Sequence, residues 1–326
     1  MRDRQVLLYF AWSRPAEIEA PLFVIEDRFP AIFELRRLFY PNFEALAASA
    51  DVDQGIAGFL DRVQKPNFMA FLDQARAQTG RQVQVCERVG DDGAVSQLDD
   101  ALIADADTIV VISFDSLRTR QAASPVEVEA IARFLSHPDH LIFVCPHHDI
   151  GETSEVALEA RLAIQNAEHL HHGDRGIPPR QGFGGFARSL LAGLGVPVEN
   201  RFGLRPAVKA DGSPVPIEAE RTLDELGLLD GVETFNLHPH LPQLERVGAG
   251  IERMQVLARQ KIDLTAPPHP FVREGRESLD SLLQSSPDAF AGRLLVCDTT
   301  LFSSTAGGLD SLRQFWTNIV GRPPRV

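Results

Sequence analysis

Six short apolar runs punctuate the chain, at residues 6–10, 82–86, 108–114, 141–145, 232–237 and 293–297. Most are continuous rather than alternating, as in strands covered on both faces. Between them, apolar residues recur at helical spacing over about 29–39, 53–63, 67–78, 125–135, 153–168, 185–193 and 308–320. The 125–135 segment has the plainest start signal. Ser124 and Glu127 are spaced as a capping box, and Pro125 takes the first helical position, where a missing N–H breaks no bond. This alternation of strand and helix predicts a doubly wound, mainly parallel α/β sheet.

Two stretches exceed a minimal α/β unit. About 70 residues separate the first two runs, far more than one crossover helix needs. That 15–80 stretch holds Phe23, Phe29, Phe33, Phe39, Phe43, Phe59, Phe68 and Phe71. It is expected to form a helical insertion that caps the domain or joins copies of the chain into a homo-oligomer. The second stretch, 149–190, carries His169, His171, His172 and a Gly/Pro-rich loop from Gly176 to Gly185. No repeat or linker divides residues 1–326. One flavodoxin-like α/β domain with a helical insertion after its first strand is the expected fold.

Ligands of open parallel sheets bind outside the carboxyl ends of the strands, so the residues that follow each run mark a candidate site. Trp12 and Arg14 follow the first run, and Asp115 follows the 108–114 run. The 141–145 run ends at Cys145 and continues as Pro146-His147-His148-Asp149. The 232–237 run leads into His238-Pro239-His240, and the last run into Asp298-Thr299-Thr300. Four of the ten histidines thus follow two predicted strands directly, and His169, His171 and His172 lie on a loop able to fold over the same edge. Taken singly, each is an ordinary hydrogen-bonded loop histidine. Taken jointly, His147, His148, His238 and His240 read as ligands for zinc, iron or manganese, which imidazole and carboxylate suit. Trp12, Arg14, Asp115, Asp298 and Thr299 are the expected substrate contacts. A Gly182-Phe183-Gly184-Gly185 run precedes a helix but matches no phosphate-binding fingerprint, and reads as a loop.

Charge narrows the function classes. With 32 basic and 45 acidic residues the net charge is −13, which disfavours nucleic acid and anionic membrane surfaces as partners. The excess sits in two windows of −6 each, 81–130 and 211–250; the second encloses His238 and His240, where it favours a cation. Three cysteines without a C-x-x-C pair suit reduced thiols in a cytoplasmic protein. No run approaches the roughly 20 apolar residues of a membrane span.

Cys145 at a strand end and the later Phe235-Asn236-Leu237-His238-Pro239-His240 resemble the class I glutamine amidotransferase-like superfamily, in which a nucleophilic cysteine ends one strand and a His-Pro-Glu triplet follows another. The 294–303 tail and the segment from Ala104 to Val144 resemble a non-catalytic branch that includes gliding-motility and intraflagellar transport domains. The resemblance covers roughly 80–320 and implies a catalytic Cys145–His238 pair. Two departures weaken that implication. Pro146 has no N–H to offer an oxyanion hole, where losing one donor costs about 10²–10³ in rate. His240 also stands where a glutamate would orient His238.

Two functions follow. One is an enzyme hydrolysing a small polar substrate, assisted by a divalent transition metal or by histidine acid–base chemistry, with His238, Asp149 and Cys145 as its candidate catalytic groups. The other is a non-catalytic ligand-binding or scaffolding domain on the same fold.

Overall fold

A computed structural model describes residues 4–18, 61, 64–149, 157–174 and 182–324. Its main sheet has eight strands in the order β2-β1-β3-β4-β10-β9-β8-β6. They are β1 (Val6–Ser13), β2 (Gln84–Val89), β3 (Thr108–Ser113), β4 (Leu141–Pro146), β6 (Glu218–Ala219), β8 (Met254–Lys261), β9 (Ser278–Ser285) and β10 (Arg293–Cys297). The first five in that order pair in parallel, and β9, β8 and β6 extend the sheet antiparallel. The fold is therefore α/β on a mostly parallel sheet, as expected, with an antiparallel extension that makes the sheet mixed. A separate antiparallel pair joins β5 (Val198–Leu204) to β7 (Leu241–Arg246).

The continuous apolar runs bury both faces of the parallel strands. Leu8, Phe10, Val110, Ile112, Phe143 and Leu295 face α1 (Met69–Thr79) and α5 (Leu309–Gly321), where Phe71, Phe315 and Trp316 are buried. Leu7, Tyr9, Ile109, Val111, Ile142 and Val296 face α2 (Pro125–Phe134) and α4 (Gly185–Gly193). Each such side chain contributes about 1.5–3 kcal/mol by leaving water. The capping box at α2 is formed as the sequence indicates: Ser124 Oγ accepts from Glu127 N at 3.3 Å, and Glu127 Oε2 accepts from Ser124 N at 2.8 Å. Glu127 is fully buried and also pairs with Arg88.

Several expectations need correction. Residues 232–237 form no strand. Val232 and Phe235 are buried, but the backbone is held from outside a ladder: Glu233 and Thr234 N–H donate to Ser311 Oγ, and Leu237 N–H donates to Ala306 O. Helix α3 runs over Leu158–His172, so His169, His171 and His172 sit in its last turn rather than on a loop. Phe68 and Phe71 pack in the core against Phe10 and Phe302. The other phenylalanines of the expected insertion, with its helices at 29–39 and most of 53–63, lie outside the described residues. Among the described residues, no helix is long and apolar enough to cross a membrane.

Candidate metal centre

Strands β4 and β10 are parallel neighbours, with Val144 opposite Val296, so their carboxyl ends emerge side by side. One delivers His147 and His148, the other Asp298 and Thr299. Asp298 Oδ1 accepts from Thr300 N–H at 2.9 Å, which turns the chain into a short 3-10 helix and fixes the carboxylate. Its other oxygen, Oδ2, lies 3.6 Å from His147 Nδ1 and 3.8 Å from His148 Nδ1. Both Asp298 Oδ2 and His148 Nδ1 are buried without a hydrogen-bond partner. His147 Nδ1 is 2.9 Å from Thr299 Oγ1, and its ring lies 4.2 Å from that of Phe114.

The 236–240 segment forms the next wall. Asn236 Nδ2 donates to Thr300 Oγ1, tying the segment to the end of β10, while Asn236 Oδ1 accepts from His238 N–H at 3.0 Å. His238 Nδ1 accepts from His240 N–H at 3.3 Å, which in the neutral ring leaves the proton on Nε2. The rings of His148, His238 and His240 form a near-equilateral triangle with centroids 5.0, 5.4 and 5.4 Å apart. Beyond it the His172 ring lies 4.3 Å from His240, and Asp174 Oδ1 is 2.9 Å from His240 Nε2. Three groups have ligand atoms within 4.8 Å of one another: His147, His148 and Asp298; His148, His238 and His240; and His172, Asp174 and His240.

Burial sets the protonation of this cluster. It pushes the imidazoles of His148 and His240 below their ordinary range and that of His238 down to about 3, so all three are neutral at pH 7. Burial also works to raise the carboxyls of Asp298 and Asp174, but the adjoining histidines override it and hold both well below the usual range. Ionised carboxylates thus lie against the ring nitrogens of the histidines. Asp298 Oδ2 and Asp174 Oδ2 are buried without a hydrogen bond, which requires an explanation.

Two further histidines of the same region are fully satisfied. His171 Nδ1 donates to Pro267 O at 2.9 Å while Nε2 accepts from Arg205 N–H at 3.1 Å. His269 Nε2 donates to Glu168 Oε1 at 3.0 Å while Nδ1 accepts from Phe271 N–H and caps a short helix. These rings are part of the frame.

No protein-family model and no curated protein matches this chain. Its chemistry therefore rests on the residues themselves.

The other expected site residues are held elsewhere. Cys145 is fully buried with Sγ 3.7 Å from Cys297 Sγ, and burial, followed by that neighbouring thiol, pushes it well above the ordinary thiol range. Asp149 accepts from Phe183 N–H at 2.6 Å and pairs with Arg188 at 3.4 Å. Asp115 caps α4 by accepting from Phe186 N–H at 2.9 Å. Trp12 donates to Glu87, and Arg14 pairs with Glu87 and Asp61. The structure thus brings together His147, His148, His238, His240, Asp298 and Thr299, and engages Cys145, Asp149, Asp115, Trp12 and Arg14 in other contacts. It adds His172 and Asp174. These two stood in the sequence within the His-His-Gly-Asp run, and the loop assigned there hid that His172 ends a helix aimed at this cluster.

Proposed function

We propose that the protein is a metal-dependent hydrolase whose ion is held by His147, His148 and Asp298. The observation that carries this reading is the buried, unpartnered pair of His148 Nδ1 and Asp298 Oδ2, 3.8 Å apart with His147 Nδ1 at 3.6 Å. Two ligands on a tetrahedral ion with bonds of about 2.0–2.1 Å stand roughly 3.4 Å apart, so the three atoms need to move only slightly to close on one. The donor set of imidazole and carboxylate suits zinc, manganese or iron. Such an ion lowers the pKa of bound water to about 7.

The chain's own groups supply the rest. His147 Nδ1 contacts Thr299 Oγ1 at 2.9 Å, a contact that an ion at that nitrogen would replace, and Asn236 holds the His238 segment against β10. His238 is only half-buried, and its neutral Nε2–H serves as a hydrogen-bond donor to a polar group of the substrate at this edge. Asp149 and Cys145, engaged as described, take no part in this scheme. The substrate is a small polar molecule reaching the edge beside His238.

The order β2-β1-β3-β4-β10 of the parallel half supports a flavodoxin-like reading, with β9, β8 and β6 as an antiparallel extension. We read the scaffold as a degenerate relative of the glutamine amidotransferase-like superfamily in which the cysteine chemistry is lost: the Cys145 thiol is buried against Cys297, and Pro146 offers no N–H. Three unpaired thiols support a reducing, cytoplasmic setting.

Metal analysis of untagged protein tests the reading. About one or more equivalents of a transition metal, lost in Asp298→Asn, is expected. Less than about a tenth of an equivalent, unchanged after reconstitution, overturns it and leaves a non-catalytic domain.

A further inference from the structure

We propose that the same cleft holds a second metal ion, on His172, Asp174 and His240, making the centre dinuclear. This deepens the reading above and rests on it for the reaction, though not for the binding itself. The two ligand groups, His147/His148/Asp298 and His172/Asp174/His240, share no residue, so both can be filled at once.

His172 Nε2 is hydrogen-bonded to the carbonyl oxygen of Gly203. A carbonyl only accepts, so Nε2 donates there and Nδ1 is the ring nitrogen left for another partner. Nδ1 faces Asp174 Oδ2 at 3.4 Å, and neither atom has a hydrogen-bond partner. His172 is only 4% exposed. Two buried polar atoms therefore face each other unsatisfied, and a cation held by both would satisfy each. The 3.4 Å gap matches the separation of two ligands on a tetrahedral ion, about 3.4 Å. Asp174 Oδ1 lies 2.9 Å from His240 Nε2, which brings the third ligand to the same carboxylate.

The backbone is built around this spot. Glycine at 203 leaves room here: a Cβ would stand 3.1 Å from the His172 ring and 3.1 Å from His240 Cβ, close enough to press on both side chains. Phe202 beside it holds a φ of +61°, at the register shift between Arg201 and Leu204 where β5 bulges from β7. Such strain in a non-glycine residue persists only where the surroundings impose it, as at ligand sites. Here the bulge delivers the Gly203 carbonyl that fixes the His172 tautomer. The two ligand groups adjoin through the rings of His148 and His240, whose centroids are 5.4 Å apart, with the His238 ring at the third corner of the same triangle. Two ions held there would supply Lewis-acid charge to one substrate at the same edge.

Untagged full-length protein, stripped with chelator, is titrated with Zn²⁺ alone and with Mn²⁺ alone, followed by calorimetry and elemental analysis. Two ions per chain are expected. Asp174→Asn is expected to lose one of them, with affinity at that position falling on the order of 100-fold or more, and to keep the other; Asp298→Asn is expected to do the reverse. A wild type that binds one ion, removed by Asp298→Asn and untouched by Asp174→Asn, overturns the second position and leaves the first. One ion removed only by Asp174→Asn keeps the second position and overturns the hydrolase site. No ion at all overturns both. Imidazole ¹⁵N spectra of the wild type need no variant to fold: a bare His172 Nδ1 that shifts on adding Zn²⁺ is expected, and an imidazolium insensitive to Zn²⁺ overturns the proposal.

Discussion

His171 and His172 are adjacent in sequence and both buried, yet they are opposite kinds of residue. His171 has a partner at each ring nitrogen, a carbonyl on one side and a backbone N–H on the other. His172 has one at Nε2 and an orphaned Nδ1 that faces a carboxylate. The same division separates His269 from His148. Residue type and burial do not distinguish ligand from frame; the hydrogen-bond ledger of each nitrogen does.

The comparison breaks first at stability. His269→Ala removes the donor to buried Glu168 and the cap at Phe271, and is expected to cost about 3 kcal/mol in urea unfolding of ion-free protein. A cost equal to that of His172→Ala would erase the distinction between frame and ligand. Acid should act on the frame as well. Burial, the largest cause, lowers His171 to about 4 and His238 to about 3, against about 6.5 in an unfolded chain. Between those limits the unfolded chain binds more protons, so the stability is complete above about pH 6.5 and fades as pH falls towards 4 and then 3. Thermal melts of ion-free protein across that range should show a falling midpoint; a flat profile would contradict the burial of these rings.

Smaller effects sharpen the ligand side. Thr299→Val removes a contact that competes with the first ion for His147 Nδ1 and should tighten that ion by up to about 10-fold, read by competition with a chelating dye; weaker binding would mean that the ion does not use Nδ1. Asp298→Asn in ion-free protein should lower stability at pH 7, because the adjoining histidines favour the ionised carboxylate in the folded chain and that preference goes with the charge. Unchanged urea unfolding would instead mean that the carboxylate gains nothing from the fold until an ion binds.

Most of the parallel half was legible because β1, β3, β4 and β10 are buried on both faces and read as unbroken apolar runs; β2, at the sheet edge and half exposed, spans Gln84–Val89 rather than 82–86. The span of β10 matches its run, and the α2 cap follows from Ser124 and Glu127. The antiparallel half was not. Strands such as Met254–Lys261 and Ser278–Ser285 mix Gln, Arg, Asp and Ser with apolar residues, and lack the run that marked the others. Residues 232–237 had the opposite fault, an apolar run whose backbone partners are Ser311 and Ala306 rather than a strand. At the site, listing residues after strand ends found His147, His148 and Asp298 for a sound reason, since β4 and β10 are neighbours. It found His238 and His240 although no strand precedes them. His269 and Glu168 gave no signal, because their meeting depends on how α3 lies against the loop before Pro270.

The position of β10 has a consequence for synthesis. It lies between β4 and β9, so the parallel and antiparallel halves of the sheet share no seam until it arrives. A nascent chain that has made β1 to β4 leaves the β4 edge, lined by Ile142, Phe143 and Val144, unpaired while residues 147–292, nearly half the sequence, are translated. During that interval the exposed edge is open to other chains, and a chaperone that covers it would act at a defined stage. Asp298 directly follows the strand that closes this gap, so the proposed ion site gains its carboxylate in the same event that makes the sheet whole.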